Sequence, residues 1–250
     1  MRLMHVRAVG VRWAQRIAVV VVLGALLAVA AGCRGKADVV VTPPPSVVPT
    51  TVASASPTPT ATGTPFPTGQ PGEVVTTVKD LVAKYGYPPG ANYASIRIPT
   101  IGVNAQVGAT TVGRDAIMAV PQGPADVVWY DLSQWEGLGG TPGGGQNAVF
   151  SGHVDYADPV PYANVAYRGQ AVFSQIKLLS QGDIIEVDYQ GKTLRYKVVS
   201  RQQLNYDADW ASIWSSKVGT DSITLYTCGG AFNFQTREYV DRVIVRAERI

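Results

Sequence analysis

Beyond about residue 76, hydrophobic and polar residues alternate in short runs instead of recurring at helical spacing. SIRIPTIGVNAQV, NAVFSGH, DIIEVDY, KTLRYKVVSRQQL, SITLYTC and VDRVIVRAERI each read as half-buried strand. The Gln190–Gly191 dipeptide between two of these runs is a hairpin turn signal, and the glycine-rich GLGGTPGGG stretch is a connection. Helical spacing is confined to Thr76–Gly86, to the stretch Ala163–Leu179 and to Asp207–Trp214. Many short strands with turn signals between them predict a mostly β protein, a mainly antiparallel barrel with a few short helices.

The pattern changes upstream. Residues 41–72 are dominated by proline, threonine and serine and carry no charge. Such a stretch buries too little apolar area to offset its ordering entropy, so residues 34–75 are expected to form a disordered tether. Still earlier, Ile17–Gly32 is apolar throughout and follows Arg2, Arg7, Arg12 and Arg16 with no acid among them. A positive head before an apolar body is an export signal. Its length borders on the roughly 20 residues that span a bilayer, so residues 1–33 are either a retained anchor or a cleaved leader. In the second case VAAGC resembles a lipobox, with Cys33 as the lipidated residue. Both outcomes place residues 76–250 outside the cytoplasm.

The formal charge of +3 belongs to the leader, because residues 76–250 hold 15 Lys+Arg against 16 Asp+Glu. That balance argues against a nucleic-acid-binding module. Cysteine usage narrows the field further. The chain has two cysteines, and Cys33 belongs to the leader, which leaves Cys228 without an intramolecular partner in the domain. Exported proteins usually pair their thiols or lack them, so an unpaired one is either buried filler or a working group. Alternation along SITLYTC turns Ile223, Leu225 and Thr227 to one face, the core side, and Thr224, Tyr226 and Cys228 to the other. Cys228 then stands at a strand end, followed by Gly229 and Gly230.

His153 is the domain's one histidine and supplies the only imidazole for a Cys–His pair. For a positive group, Arg242 opens a return strand near the thiol, with Arg237 in the preceding loop as the rival. Arg246 lies about 13 Å farther along the strand. One histidine and one cysteine cannot build a zinc site, and Asp155, Asp158 and Asp183 are too scattered for calcium; neither cofactor nor metal is expected. Trp129, Tyr130 and Trp135 are read as core packing before groove lining.

These residues resemble a known family. TLYTC fits the TLxTC signature of sortases, the cysteine transpeptidases of Gram-positive cell surfaces. AVFSGHVD is similar to the segment carrying the sortase histidine, and DRVIVRA to the one carrying its arginine. ASIRIPTIGVNAQV, MAVPQGPADVVWY and FSQIKLLSQGDIIEV follow family order over Ser95–Ile250, and TCGGAFN with Tyr239 most resembles class F sortases. One segment departs: many class F members carry DNVVV where this chain has DRVIV. The resemblance implies an eight-stranded β-barrel, with Cys228 as nucleophile, His153 as general acid/base and Arg242 (or Arg237) stabilising the oxyanion or substrate. It further implies cleavage of an LPxTG-like sorting signal between Thr and Gly through a thioester. The acceptor would be an amine of peptidoglycan or of a pilin, and the enzyme would be membrane-anchored through its N-terminal segment. Two other readings stand beside it: a non-catalytic exported β-domain that binds the cell wall, and another cysteine acyl-transfer enzyme or hydrolase.

Overall fold

The computed structural model describes residues 68–70 and 72–250. The expected export segment, Cys33 and nearly all of the Pro/Thr-rich tether lie outside the described residues. Eight strands form a closed barrel: β1 (Ala94–Ile98), β2 (Val103–Thr111), β3 (Val127–Asp131), β4 (Asn147–Gly152), β5 (Ile184–Tyr189), β6 (Lys192–Asn205), β7 (Ser222–Asn233) and β8 (Glu238–Arg249). Around the wall the order is β5-β6-β8-β7-β4-β3-β2-β1, and β1 closes back onto β5. Only β2/β3 and β4/β7 run parallel; the other neighbours are antiparallel.

Local sequence explains the strand boundaries. Gln190 and Gly191 both take positive φ, 50° and 74°, as a two-residue turn between twisted strands requires. Pro99 cannot donate to a ladder, so β1 gives way to a 3₁₀ turn over Pro99–Ile101, and left-handed Gly102 reverses the chain into β2. Alternation does the rest. Ile96, Phe150, Val187, Ile223, Leu225 and Val245 project inward and are fully buried. The seam that closes the barrel is short: three residue pairs join β1 to β5, and Arg97 bonds across it to Glu186 and Asp188.

A second layer covers the outside of the β3-β4-β7-β8 wall. Tyr130, Val128, Val149 and Ile244 pack outward against Trp214 of a short helix, α2 (Trp210–Trp214), with Tyr226 and Trp210 at the edge. The expected helix at Asp207–Trp214 is thus present in shortened form. Helix α1 (Val78–Tyr85) answers to Thr76–Gly86, capped by the Thr77 hydroxyl and ended by Gly86.

Two expectations are corrected. Ala163–Leu179 is not helical: it contains short strands Val165–Tyr167 and Gly169–Gln170, and only Ile176–Leu178 makes a 3₁₀ turn. Its apolar side chains at 163, 165 and 167 alternate, and Val165–Tyr167 pairs with Val74–Val75 on one side and Pro159–Val160 on the other. The domain also starts earlier than residue 76. Gly69 donates its N–H to the Ala163 carbonyl at 2.9 Å, and Val75 is buried in a small cluster with Leu81, Tyr85 and Tyr167. Val75, at the end of the polar tether, supplies the buried apolar side chain that docks it, while Val74 stays exposed.

Candidate active site

Three strands bring the predicted groups to one end of the outer wall. In the antiparallel β7/β8 pair, Cys228 lies directly opposite Arg242. Opposed residues project from the same face with Cβ atoms about 5 Å apart. In the parallel β4/β7 pair, Tyr226 registers with Ser151. Continuing that register by two residues in the same direction leads to Cys228 on β7 and to His153, the residue that follows β4. Thr227 points the other way and donates its hydroxyl to the Gly152 carbonyl at 2.7 Å, which ties the two strands together just below the thiol.

Strand β7 does not end at Cys228, as the two glycines had implied. It runs on to Asn233 through a bulge between Gly229 and Phe232. The glycines are needed for that bulge: a Cβ on Gly229 would lie 2.7 Å from the Val243 side chain, and Gly230, at φ 75°, would put one 2.5 Å from the Asp241 carboxylate. The bulge bends the hairpin beyond the thiol and leaves residues 231–238 exposed.

Cys228 is half-buried. Burial pushes its thiol up from the ordinary range; the Arg242 guanidinium pulls it down, while Asp155 and Glu238 add to the rise. His153 moves the opposite way, because burial penalises the imidazolium more than its partners support it. Those partners are the Pro121 carbonyl, 3.2 Å from Nε2, and the charges of Asp155 and Asp158. A carbonyl only accepts, so Nε2 carries the proton and Nδ1 holds the lone pair of the neutral ring. At neutral pH the pair therefore rests mainly as thiol and imidazole. Tyr156 stands edge-on to the His153 ring at 5.2 Å, and the Tyr239 hydroxyl donates to Asp155, linking the start of β8 to the segment after β4.

Arg242 donates from Nη1 to the carbonyls of Tyr239 and Asp241, at 2.9 and 2.8 Å, which fixes its guanidinium at the base of the hairpin. Arg237 sits in the hairpin turn, exposed and in a left-handed conformation with φ 57°. It is five residues beyond the position opposite Cys228, about 16 Å along the strand. Arg246 faces Thr224 farther down the wall and donates to the Ile213 carbonyl at 2.9 Å.

Among the described residues no group of three His, Cys, Asp or Glu side chains is placed to hold a metal ion. Trp129 belongs to the barrel core and stacks on Tyr93, with ring centroids 4.4 Å apart. A cavity of about 290 Å³ lined by Trp129, Asp131 and Trp135 lies at the Asp131 end of β3, the end of the barrel opposite the Cys228 rim. Sequence reasoning missed the Tyr239–Asp155 bond, the Pro121 carbonyl and the buried Asp126 beside it. Of these only Asp126 left a trace, as an acid inside the apolar run before β3.

A sortase-domain family model matches residues 96–250. Among solved structures, the chain is similar to the pilus-related sortase C of Group B Streptococcus, with 20% identity, coverage of 66% of this chain and 70% of that one, and a TM-score of 0.46. Sortase A from Corynebacterium diphtheriae matches at 21% identity, with coverages of 69% and 66% and a TM-score of 0.46. A Clostridium perfringens sortase D5 transpeptidase matches at 19% identity, with coverages of 69% and 86% and a TM-score of 0.44. No curated protein sequence matches significantly. The family model, which spans most of the barrel together with Cys228, His153 and Arg242, carries the assignment: the chain belongs to the sortase family.

Proposed function

We propose that the protein is an extracytoplasmic cysteine transpeptidase that cleaves an LPxTG-like sorting signal between Thr and Gly and passes the acyl group to an amine of peptidoglycan or of a pilin. The observation that carries this is the register: Cys228 opposite Arg242 on β8, and two residues past a Tyr226–Ser151 pair that leads to His153. In this reaction the Cys228 thiolate adds to the Thr carbonyl, and Arg242 stabilises the developing oxyanion. His153 as imidazolium gives its Nδ1 proton to the departing glycine amine as the C–N bond breaks, leaving a thioester on Sγ. The acceptor amine then adds to the thioester carbonyl and returns a proton to His153 as the C–S bond breaks. One amide replaces another, so neither ATP nor metal is required.

The class F character of the TCGGAFN stretch, and anchoring through the apolar segment Ile17–Gly32, belong to the same proposal. Incubating the full chain with an LPxTG peptide tests it. A thioester adduct on Cys228 is expected by mass spectrometry, with release accelerated by an added amine. Turnover that survives Cys228→Ala would overturn the proposal.

A further inference from the structure

The Pro121 carbonyl that holds His153 sits on a turn with an unusual fastening. The next two backbone N–H groups, of Gln122 and Gly123, donate to the two carboxylate oxygens of Asp126 at 3.0 and 2.8 Å. Asp126 is only 2% exposed. The turn is pressed from both sides. A Cβ on Gly123 would lie 2.9 Å from the Tyr162 ring, and the Pro124 carbonyl accepts from Val172 at 2.8 Å. The neighbouring Phe173 N–H donates to the His153 carbonyl at 2.9 Å, so the turn and the histidine are sewn to the same segment.

Burying a carboxylate among neutral groups is costly, and a solvent-exposed Asp or Ser would close such a turn without that cost. Burial raises the Asp126 pKa to about 6 despite its backbone donors. Its charge adds to the rise that burial causes in Tyr87, Tyr156 and Tyr162, and these are neutral hydroxyls, not cations that could compensate it. What the anion does that a neutral side chain does less well is accept two N–H groups at once, one on each oxygen.

We propose that Asp126 is a positioning residue: its carboxylate locks the Gln122–Gly123 turn, and through it the Pro121 carbonyl, so that His153 is held as the Nε2–H tautomer with Nδ1 free to exchange protons. The hold on the ring stands on these contacts alone; its consequence for turnover rests on the transpeptidase reading.

The test uses the full chain in detergent with ¹⁵N-labelled histidine. The chain has two histidines, and His5→Gln identifies the His153 ring signals. The ring ¹⁵N shifts are followed against pH in wild type, Asp126→Asn and Asp126→Ala, alongside kcat and KM with an LPxTG peptide. Wild type is expected to show the Nε2–H tautomer in its neutral form. Asp126→Ala is expected to show mixed tautomers and a 10- to 100-fold lower kcat, with KM within twofold. Asp126→Asn, which keeps one acceptor oxygen and the shape, is expected to fall between them and serves as the comparison if the alanine variant does not fold. Ring signals identical to wild type in a folded variant would overturn the proposal, as would altered tautomers with unchanged kcat. If wild type turns over no peptide, the transpeptidase reading fails, and the ring signals still decide whether Asp126 sets the tautomer.

Discussion

The outer wall of this barrel carries two polar clusters, four residues apart along β7 and β8 and six along the β4 segment, and they are built for different ends. At the lower one, the Thr224 hydroxyl donates to Asn147 Oδ1 at 2.8 Å, and Asn147 Nδ2 and Arg246 both donate to the Ile213 carbonyl. Thr224 and Asn147 are completely buried, and these bonds are short and internal. This cluster clamps α2 to the wall. At the rim, Cys228, His153 and Arg242 are half-buried, with the thiol raised and the imidazole lowered by burial. Both clusters join a strand β7 side chain to one from the β4 segment and an arginine from β8. The lower one converts desolvation into complementary hydrogen bonds. The upper one leaves its two reactive groups energetically displaced, which is the condition in which a small input from substrate changes protonation.

Exchanging the arginines gives the largest contrast. Arg242→Ala is expected to lower kcat/KM by about 10²–10³, the usual cost of removing one oxyanion partner. Arg246→Ala should leave kcat/KM within a few-fold while lowering the melting temperature, since it unpins the Ile213 carbonyl. Parallel peptide kinetics and thermal melts on the two variants would break the comparison if both effects fell on the same variant.

The pH profile sharpens it. With the imidazole pKa lowered and the thiol pKa raised, the thiolate–imidazolium form is a minority at every pH. Its fraction is flat between the two pKa values and falls outside them. The kcat/KM profile should therefore be a broad bell with its acid limb below the ordinary imidazole range and its alkaline limb above the ordinary thiol range. Arg242 stabilises the thiolate, so Arg242→Ala should move the alkaline limb upward, and Arg246→Ala should leave it in place. Rates of iodoacetamide alkylation across pH measure the thiol limb directly. An unmoved limb in Arg242→Ala would mean that the guanidinium does not act on the sulfur.

How much of this is legible in the sequence follows from the range of each interaction. Period-two alternation assigned the facing of Ile223, Leu225 and Cys228, because strand geometry is local. The pairing of Cys228 with Arg242 was legible for the same reason, through a single hairpin. The helical reading of Ala163–Leu179 failed because alternation over Ala163, Val165 and Tyr167 is too brief to outweigh neighbouring apolar residues, and its partners Val74–Val75 lie far off in sequence. The end of β7 was misplaced because two glycines signal a turn and a bulge equally well. Asp126 and Pro121 reach the histidine, and Tyr239 reaches Asp155, only through tertiary packing, and a backbone carbonyl leaves no residue-type signature at all.

A smaller effect separates the clusters on stability alone. Thr224→Val keeps the shape but leaves Asn147 Oδ1 without its hydroxyl donor in a buried site, a loss of about 1–3 kcal/mol. Melting should fall by several degrees in a domain of this size, and kcat/KM of the folded fraction should hold within twofold. If turnover fell with stability, the lower cluster would belong to the catalytic machinery and not to the clamp.

The smallest expected effect tests the rim's own boundary. Arg237 and Arg242 belong to one hairpin, and either could serve a thiol if the hairpin folded over it. Beyond the bulge at Gly229–Gly230 the tip is instead exposed, Arg237 with it, and the Arg237 backbone N–H closes the turn on the Asn233 carbonyl at 2.7 Å. A charge about 16 Å along the strand and in water is screened over about 8 Å at physiological ionic strength. Arg237→Ala should therefore leave kcat/KM within twofold and the alkaline limb unmoved. Arg237→Gly, which also relieves the positive φ, should match it and melt no lower. A tenfold loss in either variant would show that the tip closes over bound peptide, and would move the oxyanion role from Arg242 to Arg237.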